Sequence, residues 1–163
     1  MYTVGIITSS DKGYAGERED KSGAVIKEIV AAAGFTVVKQ VVLPDEKEML
    51  KNEFKVMSDE LKVNLILSTG GTGFSKRDIT PEATKEILDR EAPGICEAIR
   101  MYSMQITKRA MLSRAVSGIR KDTLIVNLPG SPKACKEALD FVLDDVKHGI
   151  DILLGSAREC ARK

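Results

Sequence analysis

Leu65-Ile66-Leu67-Ser68-Thr69-Gly70-Gly71-Thr72-Gly73, followed by Arg77-Asp78-Ile79-Thr80-Pro81, is an apolar run that stops abruptly at three glycines and two threonines. A short apolar run bounded by glycine reads as a strand covered on both faces. Glycines without a Cβ let backbone N–H groups approach an anion closely. Asp78 adds a carboxylate beside that anion, where a divalent cation would be useful. Thr80 and Pro81 read as an N-cap and first helical residue. One segment thus offers a strand, a phosphate-sized cradle, a metal ligand and a helix start. That combination points to phosphoryl or nucleotidyl chemistry.

Outward from this loop the chain alternates strand and helix. Upstream, Val4 to Thr8 is an apolar strand ending in polar Ser9-Ser10-Asp11-Lys12-Gly13. Val25, Ile26, Ile29, Val30 and Ala33 share one face of a helix from about Asp20 to Ala33, stopped by Gly34. Phe35 to Leu43 is β-branched and strand-like, and Leu50, Phe54, Met57 and Leu61 set a helix over Glu46 to Leu61. Val63 to Ser68 is the third strand. Downstream, a helix begins at Pro81. A second begins near Pro93, where Ile95, Ile99, Tyr102 and Ile106 repeat at helical spacing. Ala115 to Ile119 reads as a short strand, turned by Lys121-Asp122 into Leu124 to Leu128. Pro129-Gly130-Ser131-Pro132 breaks that strand before a last helix, Lys133 to Leu154, with an interruption expected near Gly149. The pattern predicts an α/β fold, a mostly parallel central sheet with helices on both faces.

In open α/β sheets ligands bind beyond the carboxyl ends of the strands. Ser9 to Asp20, Pro44-Asp45, Gly70 to Asp78 and Pro129 to Lys133 all follow strands, so one sheet edge should gather them. Spacing alone favours Asp45 as the N-cap of the next helix, and Asp78 as a partner of the backbone ahead of Thr80. Two carboxylates at one edge would alternatively hold Mg²⁺, which takes a few oxygen ligands plus substrate phosphates. Lys12, Lys21, Lys76, Arg77, Arg114 and Lys133 lie in or near these loops, as solvated charges singly or as polyphosphate partners together.

Composition removes other classes. The chain has 163 residues, 43% hydrophobic and 30% charged, as in one soluble domain spanning residues 1–163. Lys and Arg number 25 against 24 Asp and Glu, not the excess of a nucleic-acid binder. No apolar run approaches the roughly 20 residues of a membrane span. The start lacks a signal-peptide pattern, so a cytoplasmic protein without a membrane partner is expected. Cys96, Cys135 and Cys160 form no CxxC or Cys/His cluster and read as small buried residues. His148, the only histidine, falls in the last helix and builds no persuasive triad. The glycine loop is neither a dinucleotide fingerprint, since Lys76 stands where a third glycine belongs, nor a Walker A loop, since no Gly-Lys-Ser/Thr closes it.

Leu43-Pro44-Asp45, Ser68 to Gly73, Arg77-Asp78-Ile79-Thr80-Pro81-Glu82-Ala83-Thr84, Ser113-Arg114 and Asn127-Leu128-Pro129-Gly130-Ser131-Pro132 together resemble, in order, the MogA/MoaB-like molybdopterin-binding family. The resemblance implies a three-layer α/β/α fold that is often trimeric, sometimes hexameric. It implies molybdenum cofactor biosynthesis by adenylyl transfer from Mg·ATP to molybdopterin, releasing pyrophosphate. On that reading Asp45 and Asp78 are catalytic and hold the metal. The Gly70, Gly71, Thr72 and Gly73 segment cradles phosphate, and Ser113, Gly130 and Ser131 contact pterin or phosphates. Ser10 and Asp11 are lesser candidates on the first loop. Two other readings compete: a non-catalytic molybdopterin-binding scaffold of the MoaB-like branch, and a flavodoxin-like FMN carrier. The absence of Trp and the presence of only three Tyr give a flavin little to stack on.

Overall fold

Thr3–Ser9 forms β1, whose residues from Val4 onward are all buried, as a strand covered on both faces requires. The structure, a computed structural model, describes residues 1–156. A short helical turn α1 (Asp11–Tyr14) leads to helix α2 (Lys21–Ala32) and strand β2 (Thr36–Leu43). Helix α3 (Lys47–Lys55), widening into a π-helical turn at Val56–Glu60, precedes β3 (Leu65–Thr69). Helix α4 (Thr80–Ile87), the two-residue strand β4 (Arg90–Glu91), helix α5 (Gly94–Met104) and a 3₁₀ turn (Lys108–Leu112) follow. Strands β5 (Ser117–Arg120) and β6 (Thr123–Leu128) and the long helix α6 (Pro132–Leu153) complete the fold.

The six strands lie in the order β2-β1-β3-β6-β5-β4. The first four are parallel, and β5 and β4 continue the sheet antiparallel. Alternation along each strand sends side chains to two cores. Val4, Ile6, Leu65, Leu67 and Val126 pack under α2, α5 and α6, against Ile26, Val30, Ile99, Leu139 and Val142. Ile7, Ile66 and Ile125 face the other way, against Leu50, Phe54 and Met57 of the α3 segment and Ala83 and Ile87 of α4. Each fully buried Ile or Leu contributes roughly 1.5–3 kcal/mol. The result is the expected α/β/α layering.

Local departures have identifiable causes. The polar segment after β1 is not all loop: the Ser10 hydroxyl accepts from Gly13 N at 3.0 Å and winds α1. The helix expected over Glu46 to Leu61 widens at its end because the Ser58 hydroxyl donates to Phe54 O at 2.8 Å and Leu61 N reaches back to Val56 O. Ile106 lies beyond the end of α5 and is half exposed, so it leaves the apolar stripe that Ile95, Ile99 and Tyr102 begin. β4, too short to carry a period, was not foreseen. α6 runs unbroken through Gly149. Cys96 and Cys135 are buried free thiols, and Cys160 lies outside the described residues.

Candidate active site

β1, β2, β3 and β6 all end at one edge, where a cavity of about 770 Å³ opens. Ser9, Ser10, Asp45, Gly70, Gly71, Asp78, Gly130 and Ser131 line it. The strand-end rule therefore brings together most of the expected residues.

Asp45 is not a helix cap. The N-cap of α3 is Glu46, with no side-chain capping bond. Instead Asp45 ties two loops: Ser9 Oγ donates to its Oδ1 at 2.6 Å and Asp11 N to its Oδ2 at 3.1 Å. Asp45 N returns a bond to Asp11 Oδ1 at 3.0 Å. Asp11 itself lies outside the cavity wall. Arg77 bridges it at 2.6 Å and Glu46 at 2.8 Å, clipping three strand ends together. The Arg77 hydrogen bonds, followed by that from Asp45 N, hold the Asp11 carboxyl below its ordinary range.

The glycine loop is shaped by close approach. Gly70 and Gly71 have φ of +88° and +70°, and a Cβ would collide with Ser9 O at the first and Thr80 Oγ1 at the second. The same Gly71 position lies 3.3 Å from Asp45 Oδ1. Thr80 is not an N-cap either. Ile79 occupies that place, and the Thr80 hydroxyl donates to Gly70 O at 2.9 Å, fastening the loop to α4. Asp78 Oδ2 accepts from Ser75 N at 3.0 Å and lies 2.9 Å from where a Cβ on Gly73 would sit. Gly73 itself does not line the cavity.

The rest of the wall joins residues not singled out from sequence, Arg18, Asp20 and Ser22, to the expected Lys21 and Ser131. Asp20 caps α2 through Gly23 N at 2.9 Å and accepts from Thr8 Oγ1 at 2.9 Å. Ser22 donates to Gly130 O, and Thr69 to Pro129 O, each at 2.6 Å, fixing the Pro129-Gly130 turn. Ser131 caps α6 through Ala134 N at 3.1 Å. Arg18 and Lys21 supply positive charge at the rim. The place of Arg18 after β1 was the available signal; Asp20 reads from sequence as the end of that loop and a helix start. Lys12, Lys76, Arg77 and Lys133 do not line this cavity, and Arg114 is paired with Glu82 at 2.6 Å beneath the glycine loop.

Thr72 and Ser113 open onto an adjoining cavity of about 250 Å³, with Ile99, Arg100 and Arg109, which meets the first at Gly130. The buried thiols offer no nucleophile: burial pushes Cys96 up and Cys135 up to about 11. His148 is exposed on α6, outside both cavities.

A family profile described as "Probable molybdopterin binding domain" matches residues 5–148. The chain belongs to this molybdopterin-binding family. A molybdopterin adenylyltransferase of Helicobacter pylori is 36% identical over 162 residues, covering 98% of this chain and 92% of its own. Its Escherichia coli K12 counterpart is 39% identical over 153 residues, covering 90% and 78%. The crystal structure of the molybdopterin biosynthesis enzyme MoaB from Thermus thermophilus superposes with a TM-score of 0.90 at 46% identity, covering 95% of this chain and 98% of its own. The chain shares the α/β fold of this solved relative. Among the described residues no helix is long and apolar enough to cross a membrane.

Proposed function

We propose that this protein acts in molybdenum cofactor biosynthesis, transferring the adenylyl group of ATP to the terminal phosphate of molybdopterin. The observation that carries the reading is the gathering of Asp45, Asp78 and the Gly70-Gly71 backbone on one polar cavity in a chain of this family. An oxygen of the molybdopterin phosphate attacks the α-phosphorus of ATP. The bond from that phosphorus to its bridging oxygen breaks, and pyrophosphate leaves with the electron pair. The attacking phosphate is already ionised, so alignment and charge neutralisation matter more than a general base.

The donor set suits a hard divalent cation. Asp45 and Asp78 share one cavity, and Asp78 Oδ1 takes no hydrogen bond from any described residue. Asp45 and Asp78 would hold Mg²⁺, which when bound neutralises charge at the phosphates. Gly70 and Gly71 let the backbone approach the phosphates. Arg18, Lys21 and the Ser10 and Ser131 hydroxyls line the path of the polyphosphate. Thr72 and Ser113 offer hydrogen bonds to the pterin from the adjoining cavity. The protein works as one domain and as a homo-oligomer, a trimer or hexamer, in keeping with its family resemblance.

Incubation with Mg·ATP and molybdopterin should yield adenylyl-molybdopterin and pyrophosphate. Asp78→Asn should leave the melting temperature within a few degrees and lower the rate roughly a hundredfold, about 2.7 kcal/mol of transition-state stabilisation. Normal turnover by Asp78→Asn rejects the metal role. Tight molybdopterin binding with no product from the parent protein identifies a binding scaffold instead.

A further inference from the structure

We propose that Arg114 is the positioning residue that sets Asp78 and the glycine loop for adenylyl transfer, an inference that rests on that reading of the site. Arg114 follows the 3₁₀ turn, and its backbone N donates to Thr72 O at 2.8 Å. Its guanidinium then takes three different acceptors. Nε donates to Gly73 O at 2.8 Å and Nη2 to Asp78 O at 2.7 Å. Nη1 meets both carboxylate oxygens of Glu82, in the first turn of α4, at 2.6 and 2.9 Å.

Apart from Arg114, the outer half of the loop is held by the Arg77 bridges to Asp11 and Glu46 and by the Ser75–Asp78 turn. Phe74 at its tip is 70% exposed, and Ser75, Lys76 and Arg77 are exposed too. Thr80 secures Gly70 and Gly71. Among the described residues, only Arg114 donates to the carbonyls of Gly73 and Asp78. The Asp78 carboxylate is held by Ser75 N within the turn, and Arg114 fixes that turn to the body of the protein at the Asp78 carbonyl. The planar fork of arginine reaches acceptors in separate directions at once, which the compact ammonium of lysine does not reproduce. Arg114 faces the underside of the loop and does not line the larger cavity, so it acts through Asp78 rather than on substrate.

Arg120 provides a matched control. It grips Asp59 at 3.0 and 2.8 Å and Ile87 O at 2.8 Å, and it lines neither substrate cavity. Arg114→Ala, Arg114→Lys and Arg120→Ala are compared with the parent in four measurements. These are the melting temperature, molybdopterin binding by fluorescence, the Mn²⁺ concentration for half-maximal rate, and the melting-temperature rise caused by Mn²⁺ with a non-hydrolysable ATP analogue. Both Arg114 variants should lower kcat tenfold or more, raise the Mn²⁺ requirement at least fivefold and lose most of the analogue-induced rise. Their molybdopterin affinity should stay within twofold, and methylguanidine should restore part of the Arg114→Ala rate. Arg120→Ala should lose melting temperature while keeping kcat and the Mn²⁺ requirement. Arg114 variants that merely melt earlier, with parental kcat, Mn²⁺ requirement and analogue-induced rise, overturn the proposal. If the parent makes no adenylyl product, the functional reading fails, and the thermal-shift measurement still decides the positioning role without turnover.

Discussion

Gly70 shows how much one residue decides here. Its φ of +88° lies in the left-handed region, and a Cβ there would run into the Ser9 carbonyl. Gly70→Ala should therefore cost more than about 1 kcal/mol of stability, because strain and collision act together. It should also abolish ATP binding, as titration calorimetry would register; retention of parental affinity would show that the loop tolerates a side chain and cradles nothing. The importance of this loop was legible because glycines, an aspartate and a helix start stand next to one another in sequence. The role of Asp45 was not. Its partners Ser9 and Asp11 lie 36 and 34 residues away, and no local rule distinguishes a cap from a tie between strand ends. Asp20 was hidden for the opposite reason: its local capping role was visible and its bond to Thr8 was not.

At the scale of elements, periodicity served where a helix or strand is long enough to repeat. The recurring apolar faces of α2 and α3 placed those helices, α2 within one residue of both its bounds and α3 within one residue of its start, while the proline break placed α6. The π-helical turn at the end of α3 was not legible, because one serine hydroxyl competing for a backbone carbonyl leaves no periodic trace. That turn is fastened to β5 by Asp59 and Arg120, with Lys121 at 3.3 Å. The Arg120 hydrogen bonds, foremost, hold the Asp59 carboxyl well below the ordinary range. A depressed carboxyl stabilises the folded chain above its unfolded pKa, about 4, and loses that contribution as pH falls further. Asp59→Asn should thus lower stability by about 1 kcal/mol at pH 7, as expected for a partly exposed charge-assisted pair. The gap between variant and parent should shrink as denaturation is followed from about pH 4 downward. A gap constant with pH would mean that shape, not charge, holds the turn.

For the whole molecule, the alternation of strand and helix made the layered α/β class legible, while the order of strands across the sheet was not. Nothing local says that β3 inserts between β1 and β6, or that β5 and β4 run antiparallel; pairing partners lie some 60 residues apart. The proposed assembly leaves no trace in periodicity either. The apolar residues left on the surface include Met101, 70% exposed, and Phe141, stacked on Tyr102 at 4.3 Å. The proposed homo-oligomer should show a trimer or hexamer mass in light scattering at micromolar concentration. A mass near 17.8 kDa would count against it.

The central place of β3 has a consequence for how the protein is made. On the ribosome, β1, β2 and β3 and the loops bearing Asp45 and Asp78 emerge before β6. The Pro129-Gly130 turn and the start of α6, which close the cavity, arrive more than fifty residues after Asp78. Translation supplies about 5–20 residues per second, so the nascent chain passes seconds with an open sheet edge at β3 and an unfinished pocket. Until β6 docks, that edge offers unpaired N–H and C=O groups to any neighbouring strand. The proposed nucleotide capture thereby waits for the Pro129-Gly130 turn, because a chain that has not yet made it has no closed pocket.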